Sequence, residues 1–486
     1  MGLKQKTISG LFWSFSDDVL KNLVHFVVGI ILARLLTPAE FGLIGMITVF
    51  IAVSNTFINS GFSQALIRKK NASDTDFSTI FYFNLFVALI FYLILHLSSS
   101  KIGNFYNEPD LVPITRVYGL ILIINSFGFI QQTLLTKNIN FKLQTKISFT
   151  ASVISGTVAI YLAYNDFGVW SLVWSSILSS LIVSLMLWTF NGWFPRLVFS
   201  IESFRSLFSF GSKLLVAGLI DTLYRNIYLL IIGKVFSAAD LGFYTRANKF
   251  KELPSKNITS TINRVTYPVL STLQDDPVKL KTGYKKMIKS SMFITFTVML
   301  IMAAVAEPMV LLLIGDQWLP SVSFLQLLCF SGMLYPLHAM NLNILKVKGR
   351  SDLFLRLEIF KKLLAVPVIL VGVFIGIHAM IIGMVFNSVI SYFINSYFSG
   401  KMISYSVNEQ ITDIAPSFLI ALSASLIIYS YSVLVDLNPF LMLLTQGLIA
   451  MTIIVFVSEK LGLEGYIEIK NIIFDKISTI LRYGKK

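Results

Sequence analysis

Residues 11–42 read LFWSFSDDVLKNLVHFVVGIILARLLTPAEFG, and this stretch decides the fold class. It is long and apolar enough to cross a bilayer. The polar and ionisable residues inside the apolar run are Asp17, Asp18, Lys21, Asn22 and His25. A charge at the centre of a spanning helix costs about 2.5–3.5 kcal/mol on insertion scales, so such residues usually face a polar cavity. The stretch therefore predicts a spanning helix with one face directed at water.

A second copy of this stretch lies later in the chain, where residues 207–242 read LFSFGSKLLVAGLIDTLYRNIYLLIIGKVFSAADLG. Its ionisable and polar residues inside the apolar run are Lys213, Asp221, Arg225 and Asn226. The motif TPAEFG at 37–42 is matched by SAADLG at 237–242. Two charged helices in equivalent places predict two lobes around one polar pathway, which is the layout of a transporter.

The composition is that of an integral membrane protein. Of the 486 residues, 55% are hydrophobic and only 13% are charged, and the mean hydropathy is +0.75. Soluble domains carry about 25% charged residues. Lipid offers no partner for backbone N–H and C=O groups, so these continuous apolar runs must be helical. The net charge of +15 reflects basic residues crowded into short loops, and no nucleic-acid partner is expected.

The apolar segments predict an all-α protein with about fourteen transmembrane helices, since each crossing needs roughly 20 apolar residues. The predicted spans lie near residues 11–36, 42–62, 78–98, 112–135, 145–164, 169–190, 210–235, 249–273, 286–306, 321–343, 357–376, 379–400, 414–435 and 439–458. The eighth span begins KFKELPSKNITSTINR and is too polar to face lipid. We therefore expect this span to line water.

Basic residues concentrate in the short loops after the even-numbered spans. Examples after the second and tenth spans are Arg68, Lys69, Lys70, Lys346, Lys348 and Arg350. The loops after the odd-numbered spans are mostly poor in lysine and arginine. Because positive charge is retained on the cytoplasmic side, this pattern predicts that both chain termini are cytoplasmic.

The repeat extends past its first helices and sets the predicted domains. IGNFYNEP at 102–109 is matched by IGDQWLP at 314–320. Because each lobe has an even number of spans, six, both copies enter the membrane from the same side and have the same orientation. In such parallel repeats the substrate is expected to bind where the lobes meet. The predicted domains are an N-lobe at 1–200, a C-lobe at 201–402, two extra helices at 403–460 and a cytoplasmic amphipathic tail at 461–486.

Basic residues inside the predicted spans form the candidate substrate site. They are Lys21, Arg225, Lys256 and Arg264. Lys256 and Arg264 are eight residues apart and share one face of the eighth span. A mildly cationic cavity suits an anionic group such as phosphate or pyrophosphate, which arginine binds bidentately and lysine binds as a point charge.

The ionisable residues that accompany these bases are Asp17, Asp18, His25 and Asp221. Asp17 lies four residues before Lys21, and Asp221 lies four residues before Arg225, so each pair shares one helix face. Two interpretations stay open. Either Asp17–Lys21 and Asp221–Arg225 are ion pairs that only tolerate burial, or the charges line a cavity that binds substrate. In the second case the acids and His25 could also couple transport to Na⁺ or H⁺.

The sequence carries no enzyme signature. Its four histidines are spread over separate spans without metal-ligand spacing. A phosphate-binding GxxxxGK[ST] is missing from the sequence as well. We therefore expect no catalytic residue, no metal and no cofactor beyond a coupling ion.

Five stretches carry a family resemblance: LARLLTPAEFG at 32–42, IRKKN at 67–71, FYNEPDL at 105–111, FGVWSLV at 167–173 and LLLIGDQWLPS at 311–321. They resemble bacterial polysaccharide-export flippases of the multidrug/oligosaccharidyl-lipid/polysaccharide (MOP) exporter superfamily. The closest likeness is to the branch associated with colanic-acid and related lipopolysaccharide or exopolysaccharide clusters. The resemblance implies fourteen helices, with two six-helix lobes around a V-shaped cavity that opens by alternating access.

The resemblance also implies a substrate and a location. The substrate would be an oligosaccharide on undecaprenyl pyrophosphate, moved from the cytoplasmic to the periplasmic leaflet of the bacterial inner membrane. In the related lipid II flippases, cationic residues of the first and eighth helices line the cavity. Lys21 and Arg264 correspond to them by helix and depth, and Arg225 is this chain's own candidate. Membrane lipid and a polysaccharide polymerase or export machinery are the expected partners.

Two alternatives remain at this point. A cation-coupled drug exporter of the same superfamily would need an acidic or aromatic cavity to bind organic cations, whereas the cavity predicted here is mildly basic. A membrane glycan polymerase needs a large extracytoplasmic loop with catalytic residues, and no loop in this sequence approaches domain size.

Overall fold

A computed structural model describes the backbone of residues 3–483 and the side chains of residues 13, 20–264, 266, 268–472, 474 and 475. Within that stretch of backbone the secondary structure consists of twenty α-helices and one 3₁₀ turn at Asp316–Trp318, without a β-strand. The all-α fold class predicted from the apolar runs is therefore confirmed.

The helices of the first half of the chain are α1 (Leu3–Leu35), α2 (Pro38–Asn59), α3 (Phe62–Arg68), α4 (Asp74–Tyr106), α5 (Leu111–Tyr118), α6 (Leu120–Lys137), α7 (Phe141–Tyr164), α8 (Trp170–Asn191) and α9 (Ile201–Val235). Those of the second half are α10 (Ala238–Thr272), α11 (Pro277–Ala304), α12 (Ala306–Ile314), α13 (Pro320–Gly332), α14 (Tyr335–Val347), α15 (Ser351–Leu363), α16 (Ala365–Ile375), α17 (Ile377–Ile403), α18 (Val407–Leu434), α19 (Pro439–Lys460) and α20 (Glu464–Tyr483).

Each predicted span falls on one helix or on two consecutive helices. Eleven helical segments of the described residues are long and apolar enough to cross a membrane, so the chain is a multi-pass membrane protein. The first, eighth and eleventh predicted spans are not among the eleven. The eighth lies on the polar helix α10, and the eleventh is divided between α15 and α16 at Leu364. The count of fourteen stays a prediction.

The backbone forms two compact units, Met1–Thr245 and Arg246–Lys486. In the first unit α1 packs on α7, and α2 packs on α9. The Thr145 hydroxyl of α7 donates to the carbonyl of Trp13 on α1, and the hydroxyls of Thr56 on α2 and Thr222 on α9 are 2.9 Å apart. The lobe limits predicted from the repeat, 1–200 and 201–402, stay a prediction.

The repeated motif ends one long helix and starts the next in the same way in both copies. The Thr37 amide donates to the Glu40 carboxylate at 2.6 Å, and the Glu40 amide donates to the Thr37 hydroxyl. Ser237 and Asp240 repeat this reciprocal arrangement at the start of α10. A capping box of this kind satisfies two backbone donors that a helix start leaves open. This is why α1 and α9 stop where they do and why α2 and α10 begin directly after them.

The two motifs also pack against each other inside the first unit. The Gly42 Cα lies so close to the backbone of Ala238 that a Cβ at Gly42 would collide with the Ala238 carbonyl oxygen. The relation is reciprocal, because a Cβ at Gly242 would collide with the carbonyl oxygen of Pro38. Each motif therefore places its glycine on the first helical residue of the other motif. We call this contact the reciprocal glycine pair.

In the second unit α17 packs on α13, α14 and α16, and α11 packs on α18 and α20. The one cysteine of the chain, Cys329 on α13, is fully buried there. An ionic cluster joins α11, α18 and α20. Asp413 on α18 accepts ion pairs from Lys285 at 2.9 Å and Lys289 at 3.0 Å, and Lys289 also pairs with Glu464 of α20 at 2.7 Å.

Replacing Asp413 with asparagine is expected to destabilise the second unit by about 2–3 kcal/mol, somewhat less than the loss of one partner from a fully buried pair. The reason is that the Lys289 side chain, only 14% exposed, would keep a single partner. Thermal unfolding of the purified protein measures the change. The matched control is Asp276→Asn, because Asp276 pairs with the exposed Lys279 and asparagine caps a helix equally well. Equal unfolding temperatures for the two variants would contradict the prediction.

Candidate functional site

The basic residue predicted on α1 lies on an exposed part of that helix. Lys21 and His25 are both exposed. The imidazole Nε2 of His25 lies 3.5 Å from the Ser152 hydroxyl of α7, which is at the limit of a hydrogen bond. Asp17 and Asp18 lie outside the residues whose side chains are described, so an Asp17–Lys21 pair stays a prediction.

On α9, Asp221 and Arg225 form an ion pair, which was one of the two interpretations left open by the sequence. The Arg225 Nε lies 2.8 Å from an Asp221 carboxylate oxygen, and the two side chains are 74% and 45% exposed. One turn of helix separates the two residues, so the i, i+4 geometry produces this contact directly. An exposed pair of this kind contributes little to stability, because water screens it. The arginine is therefore accessible but already has a carboxylate partner.

The two basic residues predicted on α10 are also exposed. Lys256 and Arg264 lie on a helix that contains two prolines, Pro254 and Pro268. A hydrogen bond from α14 holds the helical turn that contains Arg264: the Asn343 amide nitrogen donates to the Asn263 side-chain oxygen at 2.8 Å. The polar character of the eighth span thus coincides with an exposed helix face.

The candidate residues belong to both units. Lys21, His25, Asp221 and Arg225 lie in the first unit, and Lys256 and Arg264 lie in the second. Exposure of all four bases agrees with a role in binding an anionic group. That they converge on one pocket stays a prediction. Among the residues that the structure describes, no cluster of three histidine, cysteine, aspartate or glutamate side chains could hold a metal ion.

The second unit contains a polar seam that was not predicted from the sequence. It joins α14 to α17 and consists of His338, Asn341, Ser388, Asn395, Ser396 and Ser399. Histidines were considered in the sequence only as possible metal ligands, and that criterion does not detect a histidine such as His338 that bonds to polar side chains of a neighbouring helix. The useful signal was the run of small polar residues on α17 at intervals of three and four, from Ser388 to Ser399, which marks one polar face of an otherwise apolar helix.

Comparison with characterised sequences finds proteins of lipopolysaccharide and teichuronic acid biosynthesis. The chain is 27% identical over 408 residues to the lipopolysaccharide biosynthesis protein WzxC of Escherichia coli, covering 81% of this chain and 82% of that protein. It is 26% identical to the teichuronic acid biosynthesis protein TuaB of Bacillus subtilis, covering 72% of this chain and 73% of that protein.

Comparison with solved structures identifies the fold. The lipid II flippase MurJ, in an inward closed conformation, superposes with a TM-score of 0.73 over 93% of this chain and 98% of that protein, at 14% identity. The family model described as "Polysaccharide biosynthesis protein" matches residues 31–323, which is more than half of the chain. The chain therefore belongs to the family of polysaccharide biosynthesis proteins.

Proposed function

We propose that this protein is a flippase that moves an undecaprenyl-pyrophosphate-linked oligosaccharide from the cytoplasmic to the periplasmic leaflet of the bacterial inner membrane. The observation that carries the proposal is the exposure of four basic side chains on long helices of a multi-pass membrane protein, namely Lys21, Arg225, Lys256 and Arg264. Similarity to WzxC and TuaB and the fold shared with MurJ support it.

The chemistry of these side chains fits a pyrophosphate. A charged group on a lipid-facing helix surface is costly, so exposed bases at membrane depth favour a water-filled cavity. The guanidinium groups of Arg225 and Arg264 can each hold two phosphate oxygens, and the lysines add point charge. Arg225 would exchange its Asp221 carboxylate for a phosphate group of the same charge sign and similar geometry.

The transport step follows from the cost of moving sugar through hydrocarbon. Each hydroxyl without a partner costs several kcal/mol in an apolar medium, so the glycan must travel through a polar interior while its polyprenyl tail stays in lipid. The cavity would open first to the cytoplasm, on the side where both chain termini would lie, and then to the periplasm. The chain would act as a transporter rather than an enzyme, delivering substrate to a polymerase or export machinery.

Reconstitution tests the proposal. Purified protein is placed in vesicles that contain an undecaprenyl-pyrophosphate-linked disaccharide, and external glycosidase reports the fraction exposed on the outer face. We expect the internal fraction to become accessible much faster than in vesicles without protein. Equal rates would contradict the proposal. Uptake of an organic cation dye by the same vesicles, without glycolipid movement, would favour the drug-exporter alternative.

A further inference from the structure

An apolar groove opens on the second unit between α11, α19 and α20, and we propose that it binds one molecule of phosphatidylethanolamine. The groove has a volume of about 410 Å³. Of the side chains that line it, only those of Thr297, Tyr466 and Lys470 carry a nitrogen or oxygen atom. None of the four bases assigned to the pyrophosphate lines it. The groove is therefore a second site, and the inference goes beyond the proposed function.

The open side of the groove has the surface of a lipid-facing helix. Gly447, Met451 and Val455 line the groove at intervals of four on α19, and all three are exposed. Between residues 440 and 456 the exposed side chains of this helix are apolar, apart from Thr452, and that hydroxyl donates to a backbone carbonyl of its own helix. The helix is also one of the segments apolar enough to cross a membrane. An apolar chain, rather than a water-soluble ligand, is therefore expected to enter the groove from this side.

The length of the groove matches one leaflet of a bilayer. Its wall on α19 runs from Gly447 to Val455, and its wall on α11 runs from Phe293 to Ile301. At 1.5 Å per residue, each wall is about 12 Å long. One leaflet contributes half of the roughly 30 Å of hydrocarbon in a bilayer. The acyl chain of a phospholipid extends over that depth, whereas the undecaprenyl chain of the proposed substrate is much longer than either wall.

One end of the groove is polar and contains both signs of charge. At α20 the Lys470 Nζ lies 2.5 Å from a Glu459 carboxylate oxygen, and the two side chains are 35% and 52% exposed. Two further ion pairs join α20 to α11, namely Lys286–Glu468 and Lys289–Glu464. Acids and bases balance among these three pairs. This end of the groove therefore has no excess of positive charge that would select an anionic lipid.

The head group of phosphatidylethanolamine carries the same two charges as the Lys470–Glu459 pair. Its phosphate would accept hydrogen bonds from Lys470, and its ammonium, which has three N–H donors like that of lysine, would donate to Glu459. Phosphatidylglycerol has the phosphate but no ammonium, so Glu459 would repel it. The pair therefore favours the zwitterionic lipid, whose acyl chain would lie in the groove beside it.

Contacts within the protein hold α20 against α11 and so keep the groove in shape. A Cβ at Gly465 would lie 2.6 Å from the Lys289 carbonyl oxygen, which means that glycine allows the two backbones to meet. The rings of Tyr466 and Phe293 lie edge to face with their centroids 5.8 Å apart. Binding of the lipid thus does not require α20 to become ordered, and this keeps the entropic cost of binding low.

The first experiment measures the lipid preference. The purified, delipidated full chain is titrated with phosphatidylethanolamine or with phosphatidylglycerol of the same acyl chains, and native mass spectrometry counts the bound molecules. We expect the first molecule of phosphatidylethanolamine to bind about tenfold more tightly or better, which is the effect of one charge-assisted hydrogen bond. Glu459→Gln should abolish this preference, and Lys470→Gln should weaken the binding of both lipids about tenfold.

The control for these variants is Lys279→Ala, which removes an exposed ion pair at the first turn of α11 and should bind both lipids like the wild type. Equal affinity of the wild type for the two lipids would overturn the proposal. The measurement involves no transport, so its outcome and that of the flippase assay are independent.

The second experiment fills the groove. Gly447→Leu adds a side chain at a position where nothing lies within 4 Å of the added Cβ, so the unfolding temperature in lipid-free detergent should not fall. We expect this variant to bind phosphatidylethanolamine about tenfold more weakly or worse, because the leucine occupies apolar surface that the acyl chain would cover. The matched control Gly447→Ala adds a single methyl group and should keep most of the binding.

Wild-type affinity of Gly447→Leu for phosphatidylethanolamine would overturn the proposal. A competition with undecaprenyl phosphate tests the other occupant of an apolar groove. We expect an equal concentration of this lipid to leave phosphatidylethanolamine bound. Its displacement would assign the groove to a polyprenyl chain and would overturn the proposal as well.

Discussion

Alanine at Gly42 or at Gly242 is expected to reduce surface polysaccharide export to about a tenth of the wild-type level or less. The added Cβ would collide with the carbonyl oxygen of Ala238 or of Pro38. Backbone atoms cannot move aside as a flexible side chain can, so the helix starts must separate. Overpacking of this kind costs about 1–3 kcal/mol or more, and each 1.4 kcal/mol changes a population about tenfold.

Export would be measured as surface polysaccharide in a strain that depends on this gene, with immunoblots to compare protein levels. Two graded controls are available in the chain. At Gly45 the added Cβ would meet side-chain atoms, of Leu241 at 3.1 Å and of Thr245 at 3.5 Å, and no backbone atom among these nearest neighbours, so alanine should have an intermediate effect. At Gly447 on α19 nothing lies within 4 Å, and alanine should stabilise the helix by about 0.5–1 kcal/mol. Wild-type export by Gly42→Ala would contradict the prediction and would show that the two helix starts tolerate the added Cβ.

Arg225→Ala and Arg264→Ala are the second pair of variants with a large expected effect. If these guanidinium groups bind the pyrophosphate, each alanine variant loses charged hydrogen bonds to the substrate that are worth about 1.5–3 kcal/mol. This loss corresponds to a ten- to hundredfold lower transport rate. Protein levels should stay unchanged, because both side chains are exposed and the Asp221–Arg225 pair is screened by water.

Conservative variants separate charge from geometry. Arg225→Lys keeps the charge but loses the planar fork, so it should retain part of the export. Lys279→Ala is the control, since it removes an exposed basic residue that pairs with Asp276 at the first turn of α11, and it should export normally. Full export by both arginine variants would remove them from the proposed site.

Much of the fold could be predicted from the sequence, because the membrane restricts what an apolar run can become. Long runs without partners for their backbone must be helical, and every predicted span coincides with described helix. The i, i+4 spacing of Asp221 and Arg225 likewise placed both residues on one helix face, where they form an ion pair. Such local relations depend only on helix geometry, which is the same wherever the helix is placed.

Contacts between segments that are distant in the sequence could not be predicted in this way. The equivalence of TPAEFG and SAADLG indicated a repeat, but similarity between two segments does not imply that they touch. The reciprocal glycine pair therefore appeared only in three dimensions. The seam around His338 was missed for a related reason, because its partners Ser388 and Asn395 lie on another helix about fifty residues further along the chain.

The burial of Cys329 has a practical consequence for spectroscopy. A thiol with no exposed surface is shielded from maleimides and nitroxide reagents. The natural chain thus serves as its own background for site-directed labelling, without prior removal of a cysteine. Probes attached at introduced cysteines on exposed positions would report distance changes during turnover in an otherwise unaltered protein.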